Sequence, residues 1–415
     1  MAVEANKVSA PPKVEPLASA SGMADKERYW AQRWRALVFV TLLGFVYSAN
    51  YTNHGPMVPT LIKQLGITLA LAGFFTTATF LTHGLLQIPG GGFADRYGGK
   101  KVAAVGLLII ALANFMNGFS GSYTEILVWK FVTGIGTGCC FTGGLRYVPT
   151  FFAGKEIQVA QGVYGGSILL GSGFVIYGVP QLLQRLGWHG VFFTTGGMAA
   201  VFLILWLLFA PATPSGVPKK IDWGYVLGRR NVWLLGLAQL GSFGTITSTG
   251  VWVNTMLIKT VHLNPKTAGM VGSLVLLLGI FSRPFGGVML QKKWLTPKRL
   301  LIWAHVMLAL GFLFVGYSNT LPMAVAGIFA IGIVAGLPFA GIFNFAVYSC
   351  PENPGLAMGF VNTFGAFGVM AMPPVIGLLV DTFGTFVSGF YLLAAVALVG
   401  GLASTLLLRR DEVLI

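Results

Sequence analysis

Acidic residues are scarce in this chain of 415 residues: 12 Asp and Glu stand against 27 Lys and Arg, and charged residues make up only 9%. An average soluble domain carries about 25%, so a soluble globule is excluded, and a mean hydropathy of +0.76 places the chain in a lipid bilayer. Cysteine is scarce too. Cys139, Cys140 and Cys350 lie in or at the end of apolar segments and supply no disulfide framework. There is no cluster of metal ligands, no nucleophile triad and no phosphate-cradling loop; "GGGFADRYGGKK" follows no strand, so it is no dinucleotide site. Neither an enzyme nor a bound metal or cofactor is expected. Residues 1–34 lack the apolar core of a signal peptide and read as a disordered cytoplasmic tail.

What is plentiful is apolar length, glycine and positive charge. A bilayer core of about 30 Å takes roughly 20 apolar residues per helix, and the chain divides into twelve such spans. Its net charge of +15 and pI near 9.9 suit a nucleic-acid binder. Position argues otherwise: 20 of the 27 Lys and Arg fall in segments on one side of the expected membrane, 4 on the other and 3 within spans. By the positive-inside rule both termini are cytoplasmic and the chain sits in the cell membrane, with no nucleic-acid partner.

The expected fold is an all-α membrane protein of twelve transmembrane helices in two pseudo-symmetric bundles of six. Apolar runs at about 36–61, 69–92, 101–119, 124–148, 158–182 and 189–210 are spans 1 to 6. Runs at about 232–257, 267–290, 300–317, 322–348, 356–380 and 386–408 are spans 7 to 12. The domains follow: tail 1–34, N-terminal bundle 35–210, cytoplasmic central loop 211–231, C-terminal bundle 232–408 and cytoplasmic terminus 409–415. "AQGVYGGSILLGSGFVIYGVP" in span 5 parallels "AMGFVNTFGAFGVMAMPPVIG" in span 11, and the end of span 2 parallels that of span 8. Weak internal symmetry of this sort marks duplicated transporter folds.

"PGGGFADRYGGKK", residues 89–101, concentrates charge where span 2 ends. Arg96, Lys100 and Lys101 obey the topology rule. Asp95 lies at a helix C-terminus, whose dipole already disfavours an anion, so it needs a positive partner; the N-terminal ends of odd spans, span 11 among them, offer one. A lock between the two halves is the expectation. Gly91, Phe93, Ala94, Asp95, Arg96, Gly98 and Lys100 resemble the cytoplasmic loop signature of the major facilitator superfamily, departing at Phe93 and Gly99. "KFVTGIGTG" in span 4 is similar to the family's pattern there, with Lys130 in place of the usual Arg. The resemblance implies alternating access, with the loop carboxylate helping to hold the outward-open state. Within the superfamily, "GFVNTFGAFGVMAMPPVIG" looks like the span 11 of nitrate/nitrite porters and "QIPGGGFADRYGG" is similar to anion:cation symporters. Arg283 followed by Pro resembles span 8 of monocarboxylate transporters, while Gln87 stands where nitrate porters place an Arg.

Ionisable side chains within the bilayer cost about 2.5–3.5 kcal/mol each on the insertion scale and mark function by default. Arg283, about five turns into span 8, is the leading candidate: its planar fork suits a carboxylate or oxyanion, against pairing with carbonyls of a neighbouring helix. Lys130 either faces the cavity or snorkels outward; Arg146 lies near the cytoplasmic end and snorkels. Thr76, Thr79, His83 and Gln87 share one helical face of span 2, as a cavity wall does. Asn53 and His54 of span 1, Asn344 of span 10 and Asn362 of span 11 are further candidate contacts, each also able to join helices. No Asp or Glu lies in the middle of a span, so the cavity is positive. The expected function is a secondary transporter of a small organic or inorganic anion, with a co-transported proton or an exchanged anion. An exporter of drugs or hydrophobic solutes and a non-transporting membrane receptor are the alternatives.

Asp95→Asn is expected to lower transport and shift the population toward inward-open. Unchanged uptake kinetics together with unchanged cytoplasmic accessibility to a thiol label would remove the lock.

Overall fold

A computed structural model describes residues 23–152, 155–213 and 222–408. Among these residues the regular structure is helical throughout. Span 1 is α1 (Met23–Thr52), followed by a 3₁₀ turn (Gly55–Met57) and α2 (Val58–Leu65). Helix α1 begins at Met23, so the part of the expected disordered tail from that residue onward is helical. Span 2 is α3 (Leu69–Leu85) and α4 (Gln87–Tyr97), span 3 is α5 (Gly99–Phe119) and span 4 is α6 (Tyr123–Phe151). Spans 5 and 6 run as α7 (Lys155–Phe209), divided at Gly187 (φ 66°, ψ 177°). After the short α8 (Trp223–Leu227), span 7 is α9 (Arg230–Gln239), a π turn (Leu240–Gly244) and α10 (Thr245–Thr260). Span 8 is α11 (Pro265–Leu277) with α12 (Gly279–Gln291), span 9 is α13 (Pro297–Gly316), and span 10 is α14 (Leu321–Ala335) with α15 (Pro338–Ser349). Spans 11 and 12 are α16 (Pro354–Phe383) and α17 (Val387–Thr405).

Prolines explain three of the interruptions. A proline inside a helix lacks its N–H and clashes with the carbonyl four residues earlier. Pro89, Pro284 and Pro338 each follow closely on a break, at Leu86, Leu278 and Gly336–Leu337. The pseudo-repeat shows in the turns after spans 2 and 8: Gly98 has φ 87° and Lys293 has φ 56°. The second half thus places a lysine in the left-handed region that glycine adopts freely.

Between spans 3 and 4 the backbones touch through small residues. A Cβ on Gly106 would stand 2.5 Å from the Gly136 carbonyl oxygen, and one on Gly99 would stand 2.6 Å from that of Gly143. Both pairs are seven residues apart on each helix, the register that lets membrane helices approach most closely.

The halves meet at the end far from both termini. A Cβ on Gly73 of span 2 would lie 2.5 Å from the Pro374 nitrogen of span 11, and one on Gly377 would lie 2.6 Å from the Leu69 carbonyl oxygen. Asp381 at the end of span 11 accepts a hydrogen bond from the Ala70 N–H, 3.0 Å away, at the start of α3. An exposed carboxylate at a helix N-terminus contributes about 0.3–1 kcal/mol. Between spans 5 and 8, Gly173 packs against Leu277 and Gly269 against the Ile176 carbonyl. Toward the terminal end, a Cβ on Gly91, Gly92, Gly162 or Gly359 would meet nothing within 4 Å. The bundles are in close contact at the far end.

Gly73→Ala is expected to force the far ends of spans 2 and 11 apart. Spin-label distances measured between α2 and the turn after span 11 then lengthen; an unchanged distribution would show that the contact does not hold this end shut.

Candidate solute site between the bundles

Two buried cations lie within the described spans, Lys130 and Arg283, and the structure treats them differently. Lys130 is fully enclosed in the N-terminal bundle. Its ammonium donates to the Asn53 Oδ1 and, at 3.3 Å, to the Asn50 carbonyl, and it sits 5.3 Å from the centre of the Phe192 ring. Asn53 Nδ2 donates in turn to Asn114 Oδ1 (3.0 Å) and Thr195 Oγ1 (2.9 Å). Spans 1, 3, 4 and 6 are thereby stitched together, and the expectation that Lys130 either faces the cavity or snorkels meets a third arrangement. The side-chain oxygen of Asn53 that a solute would use is already taken.

Arg283 lies at the seam. Its Nη1 donates to the Gly165 carbonyl of span 5, in the opposite bundle, and its guanidinium stacks 4.2 Å from the centre of the Phe339 ring on span 10. Tyr51 and Tyr47 of span 1 lie nearby. No carboxylate pairs with it among the described residues, and the bond to Gly165 uses one of its five N–H donors. Pairing with a neighbouring carbonyl, the alternative to an anion clamp, is therefore present, but it leaves most of the fork free. Next to it, Ser282 Oγ accepts from the Gly336 N–H at 3.1 Å, which satisfies a backbone group freed where span 10 breaks.

Tyr51 links the guanidinium to span 2. Its ring packs against Phe80 (centroids 4.9 Å apart) and His83 (6.0 Å). His83 is buried, with Nδ1 held 3.0 Å from Thr137 Oγ1 of span 4 and its ring against Phe141. Gln87, one turn on, accepts a long 3.5 Å bond from Thr363 Oγ1 of span 11, across the seam, and its buried Nε2 has no partner. His54 is tied to Thr76 (2.7 Å) inside the N-terminal bundle. Thr79 bonds its own helix at the Phe75 carbonyl (3.0 Å) rather than lining a wall with a free hydroxyl. Asn362 Oδ1 accepts from Gln239 Nε2 (2.9 Å) of span 7, a contact within the C-terminal bundle. Asn344 is half-buried on span 10. The aromatic neighbours Tyr47 and Phe339 and the Gly165 carbonyl carry no signal in an apolar sequence run, apart from Tyr47 and Tyr51 lying one turn apart on span 1.

The Asp95 side chain of the charged loop lies outside the described residues. Of its neighbours, Gly91 is half-buried, Arg96 is exposed over the Tyr97 ring and Gly98 makes the positive-φ turn. Lys100 reaches the Leu207 (3.0 Å) and Ala210 (2.6 Å) carbonyls at the end of span 6. That places a cation on a helix C-terminus of its own bundle.

Two six-span bundles with a buried cation and unpaired polar groups at their seam define a polytopic membrane transporter. The sequence profile of the Major Facilitator Superfamily matches residues 40–353 and 295–414, and the chain belongs to that family. It is 23% identical over 348 residues to a nitrite extrusion protein of Bacillus subtilis, covering 82% of this chain and 87% of that one. A probable sulfoacetate transporter, SauU of Cupriavidus necator, is 26% identical over 406 residues, with 90% and 93% covered. Among solved structures, a bacterial homologue of the human lysosomal transporter Spinster, inward-facing and occupied, superposes with a TM-score of 0.69 at 15% identity, covering 92% and 98%.

Lys130→Met removes the donor to Asn53 and leaves a buried oxygen unsatisfied, at a cost of about 1–3 kcal/mol. The expected result is a lower melting temperature with unchanged ligand affinity. Lost affinity at an unchanged melting temperature would return Lys130 to the solute path.

Proposed function

We propose that the protein is a secondary transporter that carries a small anion by alternating access, with Arg283 as the cation that binds it. The observation that carries this reading is a guanidinium buried between the bundles, with a free donor fork and no described carboxylate to neutralise it. Such a group is stabilised by any anion that reaches it, and in a low-dielectric setting that attraction is strong. His83 and Gln87 are the further proposed contacts: Gln87 reaches Thr363 across the seam, and His83 lies one turn before it on span 2 beside Tyr51. Lys130, Asn53, His54 and Asn362 support them from within the bundles. Relatives named for nitrite and sulfoacetate lend the reading support at low identity.

The positive-inside bias puts both termini in the cytoplasm of a cell-membrane protein. The closed seam at Gly73 and Gly377 then faces outward and is the proposed outer gate. No described Asp or Glu is buried in the spans, so a coupling proton travels on His83 or with the solute; exchange of one anion for another suits the same site. The proposed lock at Asp95 acts at the opposite end of spans 2 and 11 from the Asp381 contact.

Arg283→Ala tests the reading. Truncating a buried charged partner costs about 2–5 kcal/mol, so every anion that stabilises the wild type against heat should lose at least about 30-fold in affinity. Anion transport in proteoliposomes that survives the substitution intact would instead favour a carrier of drugs or other hydrophobic solutes.

A further inference from the structure

We infer that the site takes an anion of single charge with a compact apolar body, and turns away dianions and polyhydroxylated acids. This rests on the anion reading above and narrows it. The buried charged side chains of the described spans are two cations, and one of them is spent: the Lys130 ammonium is engaged by Asn53 and Asn50 inside the N-terminal bundle. One guanidinium remains at the seam, so one negative charge balances the site. A second carboxylate on the same small solute has no buried cation to meet, and burying an uncompensated charge is far costlier than burying a neutral group.

The walls argue for the body. Around Arg283 stand the face of Phe339 and the Tyr51 and Tyr47 phenols, and beyond Tyr51 stand Phe80, His83 and Phe141. The unused N–H donors of the fork are enough for one anionic head. Beyond His83 and the single Gln87 amide the neighbours are ring and glycine, and a Cβ at Gly165 would already stand 2.8 Å from the Phe339 ring. Hydroxyls along a sugar acid each need a partner when buried, and rings supply none.

The full-length protein in detergent, titrated calorimetrically at pH 8 with anions matched in skeleton, tests both parts. Malonate exchanges the methyl of propionate for a second carboxylate, sulfate adds a second charge to an inorganic oxyanion compared with nitrate, and glycerate adds only hydroxyls to propionate. The expected result is propionate binding at least about tenfold tighter than malonate and than glycerate, and nitrate tighter than sulfate by a similar margin, with all binding lost in Arg283→Gln. Equal or tighter binding of malonate or sulfate overturns the single-charge assignment. Equal or tighter binding of glycerate overturns the apolar body. If no anion binds in any pair, the anion reading itself falls, a result distinct from a preference in the wrong direction.

Discussion

A charge inside a bilayer has no water to turn to, so every buried ammonium or guanidinium must find its partners in the protein or keep them waiting for a ligand. The two cations of this chain take the two routes. Lys130 is closed off by a side-chain oxygen, a carbonyl and an aromatic face, and its partners are bonded in turn to Asn114 and Thr195. Arg283 has a carbonyl and a ring, with the rest of its fork uncommitted at the surface where the halves meet. The first arrangement holds a bundle together; the second leaves the donors that the proposed site would use.

The site also depends on where helices are allowed to fail. Breaks at Leu86, Leu278 and Gly336–Leu337 precede Pro89, Pro284 and Pro338, and Gln87, Arg283 and Phe339 all lie within a few residues of them. A helix interruption in lipid is tolerated only where its freed backbone groups meet other protein groups. Ser282 does this for Gly336. Proline therefore places polar side chains and backbone that is not fully self-bonded at the same depth in three spans drawn from both halves.

Much of this was legible in the sequence, and the rest was hidden for identifiable reasons. Span length and the side bias of Lys and Arg reveal the twelve helices, and the depth of Arg283 within span 8 singles it out, because both depend on one-dimensional quantities. The direction in which Lys130 points is a rotational phase, set by which of spans 1, 3 and 6 lies beside span 4, and no spacing within span 4 reports it. Asn53 and Asn362 read as ligand contacts for the same reason; each has its partner on a helix distant in sequence, Asn114 and Gln239. Phe339 is invisible because an aromatic ring in an apolar run looks the same facing lipid or a cation. The onset of α1 at Met23 was missed because its first turns carry charge, which an interfacial helix end tolerates as readily as a disordered tail.

The contact of spans 3 and 4 has a mechanical side. With carbonyls set against glycine at Gly99–Gly143 and again at Gly106–Gly136, the two backbones mesh like a toothed joint and neither can slide or roll without the other. Spans 3 and 4 form one stiff pair within the N-terminal bundle. Bending is thereby left to the interrupted spans, at Leu86, Leu278 and Gly336, the last two in the helices that carry Arg283 and its ring partner Phe339.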